Sequence, residues 1–360
     1  MLSMKKIIHI IGRLNFGGAE KLLLDLSRKI DKDNFSVSVI VLQDENPLAE
    51  AFADAGVQVK FFNKRHKLDL SIIKRVTDYL LQEKPDIVHT HLFAGDFWGG
   101  QAALKAKVPV IISTKHDVLN EGGWRNFLGQ RMRRQFNKII AISKATQKHL
   151  IDVEKIPYQK VQVIYNGVDV NKFYVENAKP FNRDYLAIGT VGRMSKEKGQ
   201  KYLIRACRFL RNRDWRLLLV GDGPLQKDLK AQAHFLGVDS QIKFTGFVND
   251  VRPFYEEFDV FVLPSISEGL SLSILEAALA GKFIIATDVG GIPEIVTDDQ
   301  TGLLFRPKNI EVLVQHLEWV NNNKREAARM ALNLQREVLE KFDINKVVAQ
   351  YEDLYLNLSK

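Results

Sequence analysis

Short apolar runs alternate with longer stretches of helical period from one end of the chain to the other, as expected of parallel sheets with helices on both faces. Seven runs in the first half read as strands: Lys6 to Ile11, Ser36 to Val41, Val57 to Phe62, Ile87 to Thr90, Val110 to Ser113, Ile139 to Ile142 and Val161 to Ile164. Five more follow at Tyr185 to Val191, Arg216 to Val220, Ile242 to Thr245, Val260 to Leu263 and Phe283 to Ala286. Ala19 to Ile30 and Ile344 to Leu358 repeat their apolar positions at helical spacing. The polar stretch Asn166 to Asp184 reads as a connection between two α/β domains, residues 1–170 and 171–343. A chain of 360 residues is long enough to bury two such cores. No unit repeats at a solenoid period.

Composition narrows the class. With 46% hydrophobic and 26% charged residues the chain is an ordinary folded protein. The single cysteine, Cys207, permits no internal disulfide and fits a reducing compartment; it reads as a buried helix residue. The first apolar run stops at Gly12, too short for a signal core, and no run approaches the length of a membrane span. The expected location is therefore cytoplasmic. Residues 1–170 carry 26 Lys and Arg against 18 Asp and Glu, whereas residues 171–360 carry 26 against 25. A basic first half suits an anionic membrane surface or anionic acceptor. Nucleic acid is not expected, because neither zinc-finger spacing nor an aromatic RNA-binding motif is present.

Candidate chemistry gathers where strands end. After the strand ending at Leu263 the chain reads Glu268-Gly269-Leu270-Ser271-Leu272-Ser273-Ile274-Leu275-Glu276. Ser271 or Ser273 can cap a helix whose free amides and dipole hold phosphate, and Glu276 inside it can accept from two ribose hydroxyls. After the strand ending at Val191 come Gly192-Arg193 and Lys198-Gly199. A guanidinium and an ammonium there can neutralise a diphosphate leaving group without a metal. In open parallel sheets, ligands bind beyond the carboxyl ends of the strands.

With these go Gly17-Gly18-Ala19-Glu20, Thr114-Lys115-His116-Asp117, Tyr165-Asn166-Gly167-Val168-Asp169, Gly221-Asp222-Gly223-Pro224, Gly290-Gly291-Ile292-Pro293-Glu294 and Thr301-Gly302-Leu303-Leu304. In this order, over nearly the whole chain, they resemble the family-4 retaining glycosyltransferases. The resemblance implies the GT-B fold, two Rossmann-like doubly wound parallel-sheet domains facing a central cleft, with the last helix crossing back onto the first domain. It implies a nucleotide-sugar donor, with Arg193 and Lys198 on the diphosphate, Glu276 on the ribose, Glu268 on the transferred sugar, and amides from Gly269, Leu270 and Ser271 on phosphate or sugar. One departure is Leu270-Ser271, where the family often has an aromatic residue and a proline; this leaves the local pocket shape open. Acid and base groups for a nucleotide-sugar 2-epimerase of the same fold are less well matched, and a non-catalytic nucleotide-sugar-binding protein is the remaining alternative.

Gly17-Gly18 follows the first strand and opens a helix, so its backbone can approach phosphate or sugar closely; Arg13 and Asn15 flank it, and the resemblance implies that this loop helps shape the acceptor side. Spacing of Gly12, Gly17 and Gly18 does not make the dinucleotide fingerprint, which argues against a nicotinamide enzyme. By the resemblance, His116, at a strand's carboxyl end, hydrogen-bonds the transferred sugar or a phosphate. His89 and His91 are expected to face opposite sides of their strand, with His91 lining the acceptor side. A metal is not expected: no third ligand sits at a convincing spacing from these two, and the D-x-D pattern occurs only as Asp31-Lys32-Asp33, in a polar turn. No cofactor is implied.

In the stretch Trp124 to Lys138, Trp124, Phe127, Leu128, Met132 and Phe136 share one side of a helical wheel while Arg125, Arg133 and Arg134 lie mostly off it. That pattern suits a helix resting on anionic lipid, and equally one covering a sheet. A lipid-linked, anionic or saccharide acceptor in surface polysaccharide or glycolipid assembly is the family-level expectation.

Overall fold

The computed structural model describes residues 4–359 apart from 45, 67–68, 118–122, 179 and 213, and only the backbone at 123–126. It divides into two units, Met1–Gly167 with Ile344–Lys360, and Val168–Asp343. The stretch expected to connect them thus belongs to the second unit from Val168 onward. There Phe173 sets its ring edge-on to Tyr255, and the Phe181 N–H donates to Asp259.

In the first unit the strands are β1 (Lys5–Ile11), β2 (Phe35–Val41), β3 (Gln58–Phe61), β4 (Ile87–His91), β5 (Val110–Lys115), β6 (Lys138–Ala141) and β7 (Val161–Val163). They pair in the order β3-β2-β1-β4-β5-β6-β7, parallel throughout. In the second they are β8 (Leu186–Val191), β9 (Trp215–Val220), β10 (Ile242–Gly246), β11 (Val260–Leu263), β12 (Phe283–Thr287) and β13 (Leu303–Phe305), ordered β10-β9-β8-β11-β12-β13. The twelve expected strands are present within a residue or two. The short β13 went unread, because its three residues fall inside the Thr301 to Leu304 motif and show no period. In each sheet the strand order reverses once, between β1 and β4 and between β8 and β11, and such switch points open the crevice in which ligands of doubly wound sheets bind.

Period two decides which side chains share a face of the first sheet. Ile7, Ile87, Val110 and Ile112 lie under the helix Ile344–Leu358, whose Ile344, Val347, Val348, Tyr351, Leu354 and Tyr355 are buried against them. Gly167 lets that helix approach, since a Cβ there would lie 2.7 Å from the Ile344 Cα.

The basic helix runs Gly123–Arg133, and of the two roles its pattern suits, its buried end covers the sheet. Met132 and Phe136 belong to a core cluster with Ile8, Val88 and Ile111. Arg133 points inward too, its Nη1 donating to Asp96 at 2.8 Å and its Nε to Glu154 at 2.9 Å. A guanidinium buried without those carboxylates would be prohibitively costly, so the pair of acids dictates its direction. Phe127, Arg131 and Arg134 remain exposed; the side chains of Trp124 and Arg125 lie outside the described residues. Among the described residues no helix is long and apolar enough to cross a membrane.

Candidate active site

In the second unit the loops leaving β8 and β11 flank the switch point and are locked together by backbone. Gly199 (φ +68°) lies so near Pro264 that a Cβ would sit 2.1 Å from its carbonyl oxygen, and the Ile266 N–H donates to the Glu197 carbonyl at 2.7 Å. That contact brings Lys198 Nζ to 2.7 Å from Glu268 Oε1. Ser265 Oγ donates to the same oxygen at 2.6 Å, and Thr287, at the end of β12, donates to the Ser265 carbonyl at 2.7 Å. From the far side, Gly290 (φ +56°) presses on the Glu268 carbonyl, where a Cβ would lie 1.7 Å away, and the Gly291 N–H donates to the Gly269 carbonyl at 2.9 Å. Only glycine fits such an approach at positive φ. The glycine motifs therefore serve to aim one carboxylate.

Ser271, rather than Ser273, caps the helix Leu272–Leu279, accepting from the Ile274 N–H. Glu276 is buried on that helix, and the Tyr255 hydroxyl donates to its Oε2 at 2.9 Å. Burial first, then the Glu276 charge, hold the Tyr255 hydroxyl well above its ordinary pKa, so it stays a donor. Leu270 is itself buried, which leaves its backbone as the part it can offer. Arg193 is exposed at the mouth of its loop. The structure thus brings Lys198 and Glu268 into contact and sets Glu276 on the helix that follows.

In the first unit four histidines converge where β1, β4 and the end of β5 meet. His9 registers with His89 across β1 and β4, and His91 with Thr114 across β4 and β5. His89 and His91 do not face opposite sides. Residues two apart on a strand share a face, and their rings stack at 4.4 Å between centroids. Nor is a third histidine missing, because the fold supplies His9 and brings ring nitrogens of His9, His89 and His91 within 4.8 Å of one another. Five of these six ring nitrogens are nevertheless engaged in hydrogen bonds, His9 Nε2 being the exception among the described residues. His89 meets Tyr355 Oη at 2.8 Å and Thr114 Oγ1 at 2.7 Å. His9 Nδ1 lies 2.9 Å from His91 Nε2, closer than the roughly 3.3 Å between two nitrogens of one tetrahedral zinc with bonds of about 2.0–2.1 Å. His91 Nδ1 continues to His116 Nε2 at 3.2 Å.

Burial pushes His9 down to about 3 and His116 down to about 4, and it is also the largest cause holding His89 and His91 well below the usual imidazole range. All four are neutral near pH 7. His91 is 2% exposed, so it stands behind His116 rather than lining a surface. Asp96 secures the strand ends around them, accepting from Thr90 at 2.6 Å, Ser113 at 2.7 Å and Arg133.

Gly17 is the N-cap of the helix Gly18–Lys29 without a side-chain cap. Glu20 folds back over it, its carboxylate bonded to backbone at Asn15 and at Glu20 itself, and burial pushes its pKa up to about 7. Asn15, Phe16 and Gly18 are exposed. The Asp31 carboxylate accepts from the Asp33 N–H and the Asn34 amide, holding the turn that precedes β2. Residues that the motifs did not reveal are Tyr255, Ser265, His9 and Asp96. For His9 a signal existed, since it lies inside the apolar run Lys6 to Ile11 as His89 lies inside Ile87 to Thr90. Tyr255 meets Glu276 across 21 residues, and no local pattern encodes that.

Residues 175–336 match the family described as glycosyl transferases group 1, and residues 16–172 match glycosyltransferase family 4. The chain is 26% identical, over 98% of its length and 97% of the other's, to the Escherichia coli UDP-Gal:alpha-D-GlcNAc-diphosphoundecaprenol alpha-1,3-galactosyltransferase. It is 24% identical, over 80% of each protein, to the Staphylococcus aureus capsular polysaccharide biosynthesis glycosyltransferase CapM. Among solved structures it is similar to Anabaena HepE in complex with UDP and glucose, with a TM-score of 0.88, 23% identity, and coverage of 98% of this chain and 100% of that one. Two successive family matches, laid over two doubly wound sheets, make this chain a member of the family-4, group 1 glycosyltransferases, with the GT-B fold.

Proposed function

We propose that the chain transfers a glycosyl unit from a uridine-linked nucleoside diphosphate sugar to an acceptor hydroxyl, with retention of anomeric configuration and without a metal. The observation that carries the reading is the Lys198 to Glu268 contact at 2.7 Å beside the β8/β11 switch point, with Glu276 buried on the next helix. Lys198 and Arg193 supply positive charge, and the amides at Leu270 and Ser271 supply donors, where charge grows on the departing diphosphate. Glu276, steadied by Tyr255, accepts from the ribose hydroxyls. The bond from the anomeric carbon to the diphosphate breaks, the acceptor oxygen bonds to the same face of that carbon, and its proton passes to the leaving phosphate oxygen. In this scheme Glu268 orients sugar hydroxyls. The two donors on its Oε1, Lys198 and Ser265, suit that role better than covalent attack. A glycosylated Glu268 peptide found by mass spectrometry would reverse the assignment.

The acceptor in this reading is a lipid-linked, anionic or saccharide acceptor in surface polysaccharide or glycolipid assembly. The Escherichia coli relative's diphosphoundecaprenol-linked substrate and the net charge of +9 support it. In this reading the protein works in the cytoplasm with peripheral contact to anionic membrane through the stretch 124–138, where Phe127, Arg131 and Arg134 are exposed; a co-sedimentation assay showing no salt-sensitive binding to anionic vesicles would remove the membrane part. The main test incubates the protein with EDTA, each common nucleotide sugar and a membrane lipid extract. Lipid-dependent release of nucleoside diphosphate from one donor, lost in Lys198→Ala and Glu276→Ala, is the expected result. Turnover that appears only when metal is added would overturn the metal-free site.

A further inference from the structure

The helices Gln200–Phe209 and Gln226–Phe235 join β8 to β9 and β9 to β10, and both cover one face of the second sheet. Leu203, Ile204, Cys207, Leu229 and Ala233 turn inward to a single core cluster with Ile188, Leu217 and Leu219. What the two helices turn outward is mostly of one charge. Lys201, Arg205 and Arg208 on the first and Lys227 and Lys230 on the second are exposed, against one acid, Asp228. From Lys198 to Arg213 the chain holds six Lys and Arg and no Asp or Glu, although residues 171–360 as a whole are almost neutral. Exposed cations elsewhere in this unit sit beside acids, Arg252 on Asp250, Arg329 on Glu326 and Lys341 on Glu337. Among the described residues Lys201, Arg205 and Lys227 form no ion pair. Lys201, Arg205 and Arg208 follow one another at i, i+4 and i+7, so like charges adjoin along one stripe, a cost to the helix that an outside anion relieves.

Two phenylalanines stand among these cations. Phe209 ends the first helix with 62% of its surface exposed, and Phe235 ends the second with 87%. Since β8, β9 and β10 are parallel, both helices run back against the strands, and the two rings emerge at the same end of the layer. Cations around open aromatic rings, on the convex outside of two adjacent helices, match a broad surface that is anionic outside and apolar just beneath, the interface of an anionic bilayer. Single-stranded nucleic acid is held instead on aromatic platforms where successive bases stack, and the sequence carries no such motif. We infer that the second unit docks on an anionic membrane through the outward face of the helices Gln200–Phe209 and Gln226–Phe235, with the cations among the lipid headgroups and Phe209 and Phe235 below them. This surface is separate from the stretch 124–138 of the first unit, and it does not depend on the proposed transfer. Helices of such a layer lie along the strands they cover, so the docked sheet lies along the membrane, and the carboxyl end of β8 opens beside the lipid.

Co-sedimentation of the full chain with vesicles of phosphatidylcholine alone, and of equimolar phosphatidylcholine and phosphatidylglycerol, tests this without donor or turnover. Binding to the anionic vesicles only, weakened by added salt, is expected. The variant K201S/R205S/K227S should bind them about 100-fold more weakly, at roughly fivefold for each cation near the surface, and Phe235→Ser about tenfold more weakly. All these side chains are exposed, so each variant should unfold at the wild-type urea concentration. The charge-keeping variant K201R/R205K/K227R should bind as the wild type does, and its failure to bind would overturn the inference. So would wild-type protein that shows no salt-sensitive binding, or binding that survives K201S/R205S/K227S and disappears in F127S/R131S. Tighter retention by single-stranded DNA than by the anionic vesicles, lost in the same triple variant, would give the face to nucleic acid and also overturn it. Should no donor be turned over while the vesicles still bind, the function proposed above fails and this surface stands.

Discussion

Lys198 Nζ and Glu268 Oε1 lie 2.7 Å apart although 70 residues separate them, and Ser265 Oγ donates to the same oxygen. Each side chain therefore fixes the other, and neither acts alone. Lys198→Ala is expected to lower kcat by roughly 100-fold, the scale of losing one donor to transition-state charge. In a double-mutant cycle with Glu268→Gln the two losses should not add, because each variant already breaks the shared contact. Steady-state kinetics on the identified donor measure this, and additive losses would contradict the coupling. Both side chains are partly accessible, so the change in folding stability should stay within about 1 kcal/mol.

Tyr255→Phe removes the hydroxyl that steadies Glu276 without touching the proposed chemistry. The donor KM should rise about fivefold, the equivalent of about 1 kcal/mol for one hydrogen bond, while kcat changes little. Titration with the nucleoside diphosphate by calorimetry should show the same loss. Equal effects on kcat and kcat/KM would mean that Glu276 acts in the transition state as well.

Arg133→Met should cost about 3–5 kcal/mol, because it strands the Asp96 and Glu154 carboxylates in the interior. Urea denaturation followed by pulse proteolysis of the first unit reads this directly. A loss below about 1 kcal/mol would mean that the network is hydrated in solution.

Three buried groups, with shifts of opposite sense, shape the pH dependence of stability. His9 and His116 titrate at about 3 and about 4 in the fold and near 6.5 when unfolded. Between those values the unfolded chain binds protons that the folded one does not, so their contribution is complete above pH 6.5 and is lost as pH falls toward 4. Glu20 behaves the other way. Its pKa is raised from 4.5 to about 7, so its contribution is complete below pH 4.5 and is lost as pH rises through 7. Glu20→Gln should gain stability relative to wild type by on the order of 1 kcal/mol per pH unit inside that window, measured by urea denaturation from pH 4.5 to 8. A flat difference would place the Glu20 carboxylate in water.

Most of the architecture was legible in the sequence because both sheets are buried on two faces and their strands read as continuous apolar runs. The glycine motifs were legible for a related reason: Gly199 and Gly290 sit where no side chain fits. What the sequence concealed is pairwise and non-local. Arg133 reads as surface charge on a wheel, yet Asp96 and Glu154 turn it inward. His91 was placed on the wrong face relative to His89 through a misapplied period, and His9, 80 positions upstream of His89, becomes its neighbour only when β1 pairs with β4. Tyr255 belongs to the same class. A spacing rule reports what one element presents, whereas these contacts depend on which elements the topology makes adjacent.

The helix Ile344–Leu358 covers the first unit's sheet, yet the ribosome makes it after the whole of residues 168–343. During synthesis the second unit can reach its final form while Ile7, Leu22 and Phe35 still wait for the side chains that will seal them. Tyr355, the partner of His89, is among the last to arrive. The histidine cluster beneath it is consequently completed at the end of biogenesis, and a chain interrupted at Asp343 has every residue of the second unit but lacks the helix that closes the first.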